Sequence, residues 1–121
     1  MHVLLLILKI IGIVLLVILA LALAIMEEIL SYDQAKDRAK IIQKFIHICS
    51  CLKKLGNFED LFSILSALNS FVIKKLDRTW KKIHKKEIDV FNNVRKLFNF
   101  EDNWKNYRNE INKRKKEKLF F

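Results

Sequence analysis

Residues 37–68, DRAKIIQKFIHICSCLKKLGNFEDLFSILSAL, hold two apolar periodicities separated by one Gly-Asn pair. In the first, Ile41, Ile42, Phe45, Ile46, Ile48, Cys49, Leu52 and Leu55 recur at helical spacing and predict a broad buried face. Lys53 and Lys54 then precede Gly56, a basic last turn followed by a residue that stops a helix without steric cost. Asn57 can cap the next helix, and Glu59 and Asp60 suit the positive end of its dipole. Phe58, Leu61, Phe62, Ile64, Leu65 and Leu68 give that helix its apolar face, and Asn69-Ser70 ends it. Composition agrees with an all-α fold. The 121 residues include no proline and two glycines, where average usage would supply roughly six and eight. Sandwiches, barrels and Rossmann-type folds need turn punctuation that this chain lacks.

Working outward toward the C-terminus, Ile73, Leu76, Trp80 and Ile83 continue the helical pattern. Ile88, Phe91, Val94, Leu97 and Phe98 form a further amphipathic face. Residues 99–103 read as a turn, and Trp104, Tyr107 and Ile111 mark a last short helix. Residues 113–121, KRKKEKLFF, read as a basic, frayed tail. The expectation is a small partial domain of about five helices over residues 27–112, with Phe45, Phe58 and Trp80 in its core.

Toward the N-terminus the character changes. Residues 3–26, VLLLILKIIGIVLLVILALALAIM, carry one charge, Lys9. As a helix this run is ~36 Å long at 1.5 Å per residue, enough for a bilayer core of ~30 Å. Apolar side chains surround it on all sides, unlike the stripe of a surface helix. A cleaved signal peptide is the rival reading, given Ala20, Ala22 and Ala24, but only Met1 and His2 precede the run and no basic n-region exists. Residues 1–26 are therefore expected to be a retained transmembrane helix. Lys36, Arg38, Lys40 and Lys44 follow it closely, so the positive-inside rule places the C-terminal portion in the cytosol of a single-pass membrane protein. Without Lys9, 22 of the 23 Lys and Arg remain against 13 Asp and Glu, a net of +9 on the rest of the chain.

Candidate chemistry is sparse. His47, Cys49 and Cys51 form an H-x-C-x-C string, but Cys49 falls on the opposite side of a helix from the other two, so no metal site is expected. Both cysteines are better read as small buried side chains. Motifs for nucleophilic or metal-assisted catalysis and for phosphate-binding loops are absent, and no cofactor is implied. Glu27-Glu28 and Glu101-Asp102 read as helix-terminal charge. Seven basic residues, Lys74, Lys75, Arg78, Lys81, Lys82, Lys85 and Lys86, form a run that suits a solvated face, anionic lipid or, least, nucleic acid.

The order of these helices resembles the central part of the Ras guanine-nucleotide exchange factor catalytic domain. Arg38 precedes the helix IIQKFIHIC, Asn57-Phe58 opens the next, and SILSALNS at 63–70 resembles the following signature. Leu76, the pair Thr79-Trp80, and Asn103 with Tyr107-Arg108 extend the resemblance over about residues 27–112. It implies an all-helical domain that binds a Ras-type small GTPase and stabilises its nucleotide-free state, with no covalent step.

By that resemblance Asn69, Ser70, Lys75 and Thr79 belong to the GTPase-facing surface. Lys75 stands where the family often has arginine, which keeps the charge and loses the bidentate fork. The family's wedge is a helical hairpin reached through a proline-containing connection, and no residue here occupies its place. Exchange by residues 1–121 alone is therefore not expected. A membrane-anchored basic helical adaptor without catalysis is the competing reading, and a nucleic-acid binder runs third.

Overall fold

A computed structural model describes residues 2–98 and 105–119 of the chain. The expected turn at 99–103 and Trp104 lie outside the described residues. Seven α-helices appear among the described residues, and no strand. They are α1 (His2–Leu30), α2 (Ala35–Leu55), α3 (Phe58–Leu68), α4 (Phe71–Lys74), α5 (Asp77–Lys81), α6 (Lys85–Arg95) and α7 (Lys105–Leu119). A single 3-10 turn, Lys96–Phe98, extends α6.

The α2–α3 junction forms where Gly56 and Asn57 predict it. Gly56 takes the left-handed conformation at φ 77°, its N–H donating to Lys53 O (3.1 Å) while Asn57 N–H donates to Leu52 O (3.0 Å). These paired bonds satisfy carbonyls that a helix end otherwise leaves open. Asn57 Oδ1 then accepts from the Asp60 N–H at 3.3 Å, and its Nδ2 donates to Asp60 Oδ2 at 2.7 Å. Ser70 does the same work for α4, accepting from Ile73 N–H. His84 caps α6 by accepting from Lys86 N–H through Nδ1 at 3.2 Å.

α2 is the central element, packed against α3, α5 and α6. Ala39, Ile42, Ile46 and Cys49 point into the core from α2, and Leu61, Ile64, Leu65 and Leu68 meet them from α3. Phe45, Phe58 and Trp80 pack on this core as half-buried side chains. Trp80 stacks on Phe91 at 5.5 Å, and its Nε1 donates to Ile73 O at 2.8 Å.

Three expectations are corrected. Ile48 and Leu55 lie outside the α2 core face, 42% and 78% exposed, because α2 is covered on one side only. Cys51 is exposed while Cys49 is buried, since the two stand on opposite sides of α2. Residues 113–119 continue α7 rather than fraying. A Glu110–Arg114 pair one turn apart (3.3 Å) lies within α7, and the Arg114 guanidinium over the Phe58 ring (5.6 Å) ties α7 to α3.

α1 is one unbroken helix of 29 residues, about 43 Å long. Val3 to Leu21 is exposed apart from half-buried Gly12 and Ile18. Ala22, Ile25 and Ile29 are buried against the rest of the chain, with α3 its main neighbour. The apolar run thus ends against the helical core, and Ala22, Ile25 and Met26 serve both the long helix and the domain.

Candidate functional site

The residues singled out by resemblance fall around the corner where α3 gives way to α4 and α5. Asn69 ends α3 with its backbone N–H bonded to Leu65 O (2.9 Å) and its side chain exposed. Ser70 is half-buried and donates to Ala67 O at 2.6 Å while capping α4. Lys75 ends α4 exposed, its Nζ 3.8 Å from the centroid of the Phe71 ring. Phe71 itself is 72% exposed beside Val72 at 45%. An open aromatic flanked by cations is a surface that water solvates poorly and a partner can cover.

Thr79 does not share that surface. Its side chain is fully buried, and its hydroxyl accepts a hydrogen bond from Arg38 Nε at 3.0 Å. Arg38 also donates through Nη1 to Tyr32 O (2.8 Å) and Asp33 O (2.9 Å). One guanidinium therefore fastens the α1–α2 loop, α2 and α5 together. Thr79 acts on the corner by holding α5 in place, because a side chain without exposed area cannot touch a partner.

A cleft of about 200 Å³ opens beside Asn69, floored by Leu68, Trp80, Ile88 and Phe91 and edged by Lys74, Asn92 and Arg95. Arg95 lies over the Phe91 ring at 5.3 Å and bonds Asn92 Oδ1 at 3.1 Å. Asn92 and Arg95 escaped the sequence reading. Their signal was the spacing, for Arg95 stands one turn beyond Phe91 on the same face.

The basic run from Lys74 to Lys86 is exposed at all seven positions, yet it is split among α4, α5 and the start of α6. It forms no single helical stripe. His47 Nε2 lies 4.0 Å from Cys51 Sγ on α2. Among the described residues no three His, Cys, Asp or Glu side chains come together as metal ligands.

The chain is all-helical among the described residues, with Asn69, Phe71 and Lys75 exposed around half-buried Ser70. The RasGEF domain family matches residues 14–120, and the chain belongs to that family. Similar proteins include Ras guanine nucleotide exchange factor Q of Dictyostelium discoideum, 38% identical over 84 residues, covering 69% of this chain and 6% of that protein. Ras-specific guanine nucleotide-releasing factor RalGPS1 of Mus musculus is 36% identical over 87 residues, covering 72% of this chain and 15% of that protein. Guanine nucleotide exchange factor SDC25 of Saccharomyces cerevisiae is 37% identical over 79 residues, covering 65% of this chain and 6% of that protein. The chain thus spans a small fraction of the length of these relatives.

Proposed function

We propose that this chain is part of a Ras-type exchange-factor domain that engages a Ras-type small GTPase through Asn69, Ser70, Phe71 and Lys75. The observation that carries the reading is the family match over residues 14–120, with the corner signature SILSALNS inside it. Asn69 offers a directional amide, Lys75 a positive charge for an acidic surface, and Phe71 an apolar anchor of the kind that dominates protein interfaces. The Arg38–Thr79 bond anchors α5, and Trp80 Nε1 donating to Ile73 O ties α5 to α4, so the corner is pre-positioned and the ordering cost of association falls.

Exchange is conformational work. A partner accelerates nucleotide loss only by binding the nucleotide-free state more tightly than the loaded one. In the family, by resemblance, that preference comes from the hairpin wedge. Residues 1–121 alone therefore bind without a strong preference between states and leave nucleotide release unaccelerated. Fluorescent-nucleotide release from a panel of Ras-type GTPases, with the chain in excess, tests this. Traces matching intrinsic release are expected, and acceleration by tenfold or more, a barrier drop of ~1.4 kcal/mol, would refute it.

The reading includes a membrane anchor. Residues 2–21 make a helix of about 30 Å, the thickness of a bilayer core, and nearly all their side chains are exposed. The basic residues that follow favour a cytosolic C-terminal portion. A glycosylation-site tag placed after Phe121 should stay unmodified, and efficient modification would reverse the orientation.

A further inference from the structure

A second concavity lies away from the α3–α4 corner, between the end of α2, the middle of α6 and α7. Its volume is about 440 Å³, within the range of small-molecule sites. Lys53 and Lys54 reach it from α2, Asn93 from α6, and Glu110, Lys113 and Arg114 from α7. Four cations from two sequence-distant segments thus converge on a space that contains one carboxylate.

That carboxylate is committed. Glu110 Oε1 pairs with Arg114 Nε at 3.3 Å, and Arg114 also donates to Lys53 O and covers the Phe58 ring. Arg114 and Glu110 are struts of the cleft wall. Lys53, Lys54 and Lys113 remain, and among the described residues none of them holds an ion pair. Lys53 and Lys54 complement the α2 dipole, but that does not account for Lys113, which sits inside α7. Three uncompensated ammonium groups in one recess repel each other until an anion joins them. A single carboxylate would offset one charge; a ligand with several phosphate oxygens matches all three, with Asn93 as a neutral hydrogen-bonding edge.

We propose that this cleft is a binding site for a multiply phosphorylated anion, separate from the partner-binding corner. The phosphates belong to a soluble metabolite or to a lipid headgroup, and the chemistry at the lysines is the same for both.

The test uses the full chain in neutral detergent, titrated calorimetrically with inositol trisphosphate. Saturable one-site binding is expected, weakened at least tenfold by the double substitution Lys53→Gln with Lys113→Gln. The double substitution Lys81→Gln with Lys85→Gln, on the basic run, should change it less than twofold. On the unaltered chain, the probe should slow acetylation of Lys53, Lys54 and Lys113 but not of Lys81. In nanodiscs, protection of those lysines by phosphatidylinositol bisphosphate assigns the site to a lipid headgroup; protection by the soluble probe alone assigns it to a free phosphate compound. Non-saturable binding, equal weakening by both double substitutions, or no protection would overturn the proposal.

Discussion

Arg38 and Thr79, 41 residues apart, are joined by a 3.0 Å hydrogen bond from the guanidinium Nε to the threonine hydroxyl. The bond crosses from α2 to α5, and two more bonds from Arg38 hold the loop after α1. Replacing the hydroxyl by a methyl keeps the volume and orphans the donor. Thr79→Val should therefore lose ~1–3 kcal/mol of stability, the cost of an unsatisfied buried group, measured by chemical denaturation. A neutral result would mean that the bond contributes nothing to the architecture.

Trp80 contributes both packing and a hydrogen bond. Trp80→Ala removes the stacked contact with Phe91 and should cost ~3–5 kcal/mol, in the range of large core truncations. Trp80→Phe keeps the stack and loses the bond to Ile73 O, with an expected loss of ~1 kcal/mol. Melting curves of the two variants that coincide would show that the ring is not packed as described.

α1 should respond to substitution in two different ways along its length. Ile29 is fully buried, so Ile29→Ala should cost ~2–5 kcal/mol of domain stability. Leu5→Ala, on the exposed part, should leave the domain's unfolding midpoint unchanged. Equal sensitivity at the two positions would contradict the division of the helix.

The two cysteines should differ in reactivity. Burial pushes the Cys49 thiol up to about 12 from its ordinary 9.0. Cys51 lies exposed. Maleimide at mildly alkaline pH should label Cys51 first, and Cys49 only after denaturant is added. The sign of the linkage follows. A pKa raised on folding gives stability that is fully present below 9 and is lost as pH climbs toward 12. Cys49→Ser should flatten that alkaline decline, and an unchanged decline would assign it to other groups.

Much of this was legible in the sequence because it is local. Gly56 specifies a stop through its backbone conformation and Asn57 a cap through its side-chain amide, and both form as their residue types require. Trp80 sits on a stripe with Leu76 and Ile83, and packs against the core. What the sequence hides is which side of an apolar helix meets a neighbour. Ile48 and Leu55 continue a row at seven-residue spacing from Ile41, beside the row of Ile42, Ile46 and Cys49, and among the described residues only the second row is buried. Thr79 was placed on the surface by resemblance, whereas its burial depends on Arg38, a contact of long sequence separation. The merging of the apolar run into the core has the same origin, since only α3 distinguishes Ile25 from Leu23.

The central claim is that the α3–α4 corner binds a Ras-type small GTPase, and equilibrium binding measures it most directly. The full chain in neutral detergent is titrated against a panel of Ras-type GTPases, beside its Lys75→Glu and Asn69→Ala variants. Both positions are exposed, so both variants should melt like the parent. At least one GTPase should bind saturably, with affinity falling tenfold or more in Lys75→Glu, the ~1.4 kcal/mol expected for reversing an interfacial charge. No saturable binding across the panel, or binding untouched by either substitution, would contradict the account.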